Sequence, residues 1–502
     1  MLPLLGIPLL FVVRKPLLFP YLSIGIFLTQ AGLVYATRAS SFEVEWLNIP
    51  VAANEYLTVK FSLVVNGLNI LMLLLTYFVL TISVVVTPPE IPKPRMYYSL
   101  VLLLSFSLSG CFLVNDLFLF FLFFEAMLLP MFFLIGMWGG ENRRYAALKF
   151  FLYTFAGSIF FLLALFPLAF NSVDWAATAK LSSMTVVDAM SAKNIPVVRS
   201  FDFGVLPQIR LSEPMAAFCF WAIFLAFAVK LPVVPFHTWL PVAHVEASAP
   251  VSVILAGILL KVGGYGLYRV CLGIFPEQML VFGSILSAFA LTSIIYGALN
   301  ALAAKNLKTM IAYSSVTHMG YVLLGVVSAE ATALNGVVLQ LFNHGVVSAA
   351  LFVIAGYFYE RSGGYRMDNF GGVSKDFPKI TFFSAVAFFA GLGLPGLNAF
   401  VSEALIFAGS FRSATVLSHF SVWIVVACLA GIVLTAAYFI RSFTGVFLGE
   451  RSSYALLKTD ANLRETFALS LLAAAMLVLG LWPAPALNLI KDDVFRFINA
   501  LF

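Results

Sequence analysis

Runs of about twenty consecutive apolar residues recur along nearly the whole chain, and nothing else in the sequence restricts its fold so tightly. A bilayer core about 30 Å thick is crossed by roughly 20 helical residues, or a few more when the helix tilts. Inside it every backbone N–H and C=O must find a partner within the protein, which a helix provides and an open strand does not. On that rule about fourteen spans are expected, near 1–13, 17–37, 62–86, 96–114, 117–138, 147–170, 214–237, 248–270, 278–298, 308–328, 332–358, 379–410, 419–445 and 466–489. The first is short, and 379–410 is the least regular. The expected fold class is an all-α polytopic membrane protein. The longest polar insert, 171–213, carries Ser, Asp, Lys and Pro without a motif and reads as a surface loop.

Composition agrees with this and removes the alternatives. The 502 residues are 62% hydrophobic and 10% charged, with a mean hydropathy of +1.01. Soluble domains carry about 25% charged residues, so a water-soluble enzyme is excluded. The formal charge of +6 comes from 29 Lys and Arg against 23 Asp and Glu, spread too thinly to form a nucleic-acid surface. Cys111, Cys219, Cys271 and Cys428 each stand alone in an apolar run, which gives no zinc or iron–sulfur spacing and no disulfide framework. Met1 to Val13 is apolar and followed, not preceded, by Arg14 and Lys15, so it reads as a first membrane segment rather than a signal or transit peptide. No P-loop, strand-bounded GxGxxG or HExxH is present.

The few charges sort by side. If the spans alternate, 17 of the 29 cations fall on one face, among them Arg14, Lys15, Lys93, Arg143, Arg144, Lys305, Lys308, Arg361, Arg451, Lys458 and Arg464. Ten fall on the other, including Lys60, Lys193, Arg199, Arg210, Arg269 and Arg496. The positive-inside rule makes the first face cytoplasm or matrix and puts both termini on the opposite side. Two cations remain, Lys230 and Lys261, and both fall inside apolar helices.

An ionisable residue at membrane depth is expensive, and is a functional hypothesis by default. Glu125 in FLFFEAMLLP and Glu403 in LPGLNAFVSEALIF join the two lysines, as do His318 in AYSSVTHMGYVLL and His344 in VVLQLFNHGVVSAALF. One Glu–Lys pair could simply lock two helices, and a lone histidine could be a satisfied core residue. Six such groups on six expected helices point instead to a relay, because each can take up and release a proton. Prolines mark two of them. Pro232 and Pro235 follow Lys230 and should free the carbonyls of Ala228 and Leu231 near its ammonium. Pro395, among Gly391, Gly393 and Gly396, breaks 379–410 in the same way. Val229-Lys230-Leu231-Pro232 and Leu392-Gly393-Leu394-Pro395 lie 163 residues apart, and paired interrupted helices mark transporters with internal repeats.

These residues carry a resemblance. FFEAMLLP, VKLPVVPFHTWLPVAHVEASAPVSVILAGILLKVGGYGLYR, IAYSSVTHMGYVLLG, LFNHGVVSAALFVIAGYFYER and GLPGLNAFVSEALI resemble the antiporter-like, proton-pumping membrane subunits of respiratory complex I, of the subunit 4 (bacterial chain M) type, over roughly 100–450. The resemblance implies fourteen transmembrane helices, two inverted repeats with discontinuous helices, and a chain of half-buried charges across the membrane plane. The units it suggests are 1–95, repeats at 96–270 and 271–448, and a C-terminal helix and tail at 449–502. Carried over by position, Glu125 and Lys230 match the family's glutamate–lysine pair and Lys261 its central lysine. His318 and His344 match its bridging histidines, and Glu403 its terminal acid. Glutamate at 403 separates the chain from the related subunits 2 and 5 and from sodium/proton antiporter subunits, which usually carry lysine there.

The expected function is therefore proton translocation within NADH:quinone oxidoreductase. Lys230, released from Glu125, drives its proton toward Lys261, and His318 and His344 pass it to Glu403. No cofactor is expected in this chain; FMN, iron–sulfur clusters and quinone belong to partner subunits. The partners implied are the other membrane-arm subunits, including the subunit 2-like and 5-like paralogues, and the lipid bilayer, with no nucleic acid. A cation/proton antiporter subunit and a structural scaffold are the rival readings. The 52 Phe suit a mitochondrial inner membrane protein, with a bacterial plasma membrane as the alternative.

Overall fold

The computed structural model describes residues 2–38, 40–52, 54–192, 195–450 and 459–501. Lys193, Arg451 and Lys458, assigned above to one face or the other, lie outside the described residues. Twelve helices among the described residues are long and apolar enough to cross a membrane, and Leu2–Val12 and Pro378–Gly391 are shorter apolar helices. Several start on a side chain that satisfies the free N–H groups of a first turn. Asp116 accepts from Phe118 N and Leu119 N, both at 3.0 Å, Asn306 from Lys308 N at 2.9 Å, and Asn462 forms a capping box with Glu465. Burial pushes the Asp116 carboxyl up to about 7 despite these donors.

The helices are arranged around three that are almost entirely enclosed: Ala249–Leu272, Leu307–Val327 and Ala331–Ser362. The first contains two π-helical stretches, Leu255–Leu259 and Leu267–Leu272. Two other helices are interrupted. Glu213–Lys230 ends at its lysine and the chain resumes helix at Trp239–Glu246. Pro378–Gly391 stops and is followed by Asn398–Val416.

Loops on the cation-rich face interlock. Gly140 N donates to Glu246 O at 2.7 Å, Asn142 N donates to Glu246 Oε2 at 2.9 Å, and Arg361 pairs with Glu465 at 2.8 Å. The opposite face departs from the all-helical expectation. Ser41–Ala52 (β1) and Glu55–Val64 (β2) form an antiparallel hairpin, and Val197–Ser200 (β3) adds parallel to β2. The sheet order is β1-β2-β3, so β1 is an edge, and Phe42, Val44, Trp46, Ile49 and Val51 are exposed along it. Helix formation after the hairpin begins at Gly67 rather than at 62, since Asn66 caps there. The 171–213 insert is likewise not a bare loop: it holds helices Trp175–Leu181 and Val186–Ser191 as well as β3.

The amphipathic C-terminal helix, Ala484–Leu501, docks on this same face. Asp493 accepts from Gly67 N at 2.5 Å, and Phe497 stacks on Tyr268 with ring centroids 4.5 Å apart. Removing both anchors, Asp493→Ala with Phe497→Ala, is expected to free the 484–501 segment, at a cost of about 2–4 kcal/mol for one hydrogen bond to a charge and one aromatic contact. Limited proteolysis from the face that carries the sheet should then cut within 484–501, and resistance equal to the parent's would refute this docking.

Candidate functional site

Lys261 lies in the middle of the most enclosed helix and is fully buried. Its ammonium bonds to the carbonyl oxygen of Ala256 and meets His344 Nδ1 at 2.8 Å. The close crossing of the two helices depends on Gly345, where a Cβ would stand 2.7 Å from Gly257 O. The His344 and His318 rings are 5.3 Å apart between centroids. His318 Nε2 is then 3.6 Å from Glu403 Oε1. The order in space is therefore Lys261, His344, His318, Glu403, which reverses the two histidines relative to the path expected from the sequence, because His344 lies where its helix crosses that of Lys261.

His318 is held at both nitrogens, Nδ1 by Ser314 O at 2.8 Å and Nε2 by Gly391 O at 3.1 Å. Both partners are acceptors, so both bonds form only when the ring carries two protons. Glu403 stands beside the ring, placed to be the counter-charge whenever His318 takes up its second proton. The carboxylate fits because the interrupted helix turns at Gly393, with φ of 78°, and a Cβ there would lie 2.7 Å from Glu403 Oε2. The helix break thus supplies Gly391 O to His318 and room to Glu403.

The first break is built in parallel. Leu231 N donates to Phe227 O and Val233 N to Ala228 O, at 2.7 and 2.9 Å, while the Trp239 indole donates to Val229 O at 2.9 Å. The carbonyl of Ala228, expected near the Lys230 ammonium, is thus spent on the turn. Lys230 Nζ instead has no hydrogen-bond partner and faces the rings of Phe124 and Phe150 at 5.0 and 5.8 Å. Glu125 Oε1 is also without a partner, and the two charges sense one another electrostatically without closing a hydrogen bond. Glu125 sits where its span kinks, between Leu117–Ala126 and Leu128–Trp138.

The six residues thus form two groups, Glu125 with Lys230, and Lys261 through His344 and His318 to Glu403. Every member can exchange a proton. Among the described residues no set of three or more His, Cys, Asp or Glu is placed to hold a metal ion.

Two residues extend the site beyond what the sequence suggested. Lys308, counted above as a loop cation, is fully buried. It donates to Val245 O at 3.4 Å and to Ala247 O, and lies 4.5 Å above the Tyr365 ring. Among the described residues three lysines, not two, are therefore enclosed. Its place in the first turn of Leu307–Val327 made it look solvated. His244 is buried with neither ring nitrogen hydrogen-bonded. It stacks on Phe352 at 4.4 Å and feels the charges of both Lys308 and Lys261. The signal for it was present, a histidine amid the apolar run LPVAHVEASAPV, but was not drawn on. Val245 and Ala247 also line a cavity of about 320 Å³ on the cation-rich face, with Glu90, Glu246 and Glu360 in its wall.

The profile of the NADH:quinone oxidoreductase/Mrp antiporter transmembrane family matches residues 114–435. The chain belongs to this family. Among its members, NAD(P)H-quinone oxidoreductase chain 4 of Thermosynechococcus vestitus is 38% identical, the match covering 85% of this chain and 76% of that one. NADH-quinone oxidoreductase subunit M of Rickettsia felis is also 38% identical, over 87% of this chain and 82% of its own length. A chain of respiratory complex I from Thermus thermophilus superposes with a TM-score of 0.83 at 27% identity, covering all of this chain and 98% of that one. A chain of the Mrp complex from Dietzia sp. shares the fold, with a TM-score of 0.80 at 19% identity over 99% and 96% of the two chains.

Lys308→Met would take the ammonium donor from the carbonyls of Val245 and Ala247, leaving Ala247 O only the Ser252 hydroxyl at 3.4 Å, while keeping most of the apolar stem. A buried polar group stripped of its partner costs about 1–3 kcal/mol. Unfolding of the detergent-solubilised complex should be eased by that order, read as an earlier release of this chain on heating, and an unchanged release temperature would count against a structural role for the ammonium.

Proposed function

We propose that this chain is the proton-translocating membrane subunit of a NADH:quinone oxidoreductase, of the subunit M or chain 4 type, with Glu125, Lys230, Lys261, His344, His318 and Glu403 as its proton relay. The observation that carries this reading is the row from Lys261 to Glu403, in which neighbouring groups stand 2.8 Å, 5.3 Å and 3.6 Å apart in a part of the protein closed to lipid. Relatives of the same family named as subunits of that oxidoreductase support it. Residues 96–270 and 271–448 act as two repeats, each with its broken helix. FMN, iron–sulfur clusters and quinone reside in partner subunits, which include the subunit 2-like and 5-like members of the membrane arm.

In the proposed cycle an ionised Glu125 stabilises protonated Lys230. Separating the pair leaves the ammonium in a ring-lined pocket without a hydrogen-bond acceptor, an environment that favours loss of its proton. The charge presses on Lys261, whose proton passes to His344, then His318, then Glu403. Moving one charge against the membrane potential costs about 2.3 kcal/mol per 100 mV, and quinone reduction in the partner subunits supplies it. His244 and Lys308 lie on the side of Lys261 that faces the acid-walled cavity and serve as the uptake branch. The cation-rich face is cytoplasmic and both termini lie on the other side. The relatives reported are bacterial, which favours a bacterial plasma membrane over the mitochondrial inner membrane for this multi-pass chain.

The test is the assembled complex in proteoliposomes. Glu125→Gln or Lys230→Ala should reduce NADH-driven proton uptake by roughly 10²-fold, the lower end of what a positioned proton carrier contributes, and quinone reduction should fall with it. Normal pumping in either variant would remove the pair from the mechanism.

A further inference from the structure

Lys261 begins a polar stripe that runs along its own helix toward the outer face, at intervals of four residues through Tyr265 to Arg269. Arg269 is eight residues from Lys261, about 12 Å along the axis at 1.5 Å per residue. It lines an outward-facing cavity of about 300 Å³, together with Asn66, Asp493 and Arg496. Only Tyr265 and Arg269 therefore separate that cavity from the central lysine along this helix face, and the final turn is one of the two π-helical stretches.

Both residues are tied down. The single proton of the Tyr265 hydroxyl is shared between two acceptors, Asn69 Oδ1 at 3.2 Å and Phe112 O at 3.4 Å, and its ring packs against Phe112 and Phe120. Arg269 Nη2 donates to Asn115 Oδ1 at 2.8 Å, and its guanidinium lies 5.0 Å from the Phe203 ring centroid. Asn115 is fixed in turn by donating to both oxygens of Asp202, at 3.4 and 3.2 Å. A cation held in place beside a narrow polar path raises the energy of a second positive charge there, and arginine excludes protons and cations from pores on this basis.

We infer that Arg269, positioned by Asn115 and Asp202, is an electrostatic seal that keeps protons from passing directly between Lys261 and the outer face past Tyr265. The inference rests on the relay reading, since a seal is needed only if Lys261 carries protons. A proton that could slip along this 12 Å stripe would return down the membrane potential without passing Glu403. Arg269 is a positioning residue; it does not carry the proton itself.

The experiment uses the whole complex in proteoliposomes, with passive proton flux measured under an imposed potential and no NADH. Arg269→Gln keeps a hydrogen-bond donor for Asn115 but removes the charge, and should raise passive proton flux several-fold, while NADH oxidation stays at the parent rate or rises for want of back-pressure. Arg269→Lys keeps the charge and should restore a tight membrane. Adding Lys261→Ala to Arg269→Gln should abolish the leak. Arg269→Gln as tight as the parent, or Arg269→Lys leaking as much as Arg269→Gln, overturns the seal. A leak that survives Lys261→Ala overturns its route through the central lysine. Should Arg269→Gln fail to assemble, Asn115→Ala, which keeps the charge but removes its tether and the link to Asp202, carries the test: a leak is expected and a tight membrane refutes it. Failure of the relay itself is read separately, as normal pumping in Glu125→Gln.

Discussion

An ammonium enclosed at membrane depth persists only where acceptors face it, because an uncompensated buried charge costs several kcal/mol. Lys261 meets that need with the Ala256 carbonyl and the His344 ring. Much of the second half of the bundle follows from these two contacts. The helix of His344 must come close, which Gly345 permits. His344 then stands against His318, and His318 against Glu403, which has room there once the Pro378–Gly391 helix has ended.

The two helix breaks address the same difficulty from opposite directions. Ending a helix at membrane depth strands carbonyl groups that water would otherwise satisfy. At the first break the Trp239 indole takes Val229 O, and at the second the His318 ring takes Gly391 O. The first solution is inert, since an indole N–H does not titrate. The second makes the backbone's need part of the proposed relay, because the bond to Gly391 forms only while Nε2 carries a proton. The first break leaves Lys230 without an acceptor, so the turn that satisfies the backbone isolates the ammonium.

Much of this was legible in the sequence, for a physical reason. Hydrocarbon tolerates so few ionisable groups that Glu125, Lys230, Lys261 and Glu403 stand out singly from apolar runs, and the same scarcity drew attention to His318 and His344. The prolines at 232, 235 and 395 marked the breaks. Lys308 was hidden because a lysine in a first helical turn reads as solvated, and only the packing of the Val245–Ala247 backbone over it shows otherwise. The hairpin did have a signal, the alternation of Phe42, Val44 and Trp46 with Glu43 and Glu45 and of Leu57, Val59, Phe61 and Leu63 with Thr58, Lys60 and Ser62, but it lies between two stronger helical signals that overshadow it. Which histidine touches Lys261 could not be read at all, since that depends on how two helices cross.

The β1 edge carries a consequence for the life of the molecule rather than for its chemistry. Twelve residues from Ser41 to Ala52 present an open edge, with Phe42, Val44, Trp46, Ile49 and Val51 exposed along the strand. An exposed, apolar edge strand is a template for pairing with whatever extended chain arrives first. For a subunit of a larger complex, this is a matter of timing. A copy made ahead of its neighbours is most vulnerable to misassembly at that edge, so the rate at which cells produce this chain relative to the rest of its complex bears directly on how much of it survives.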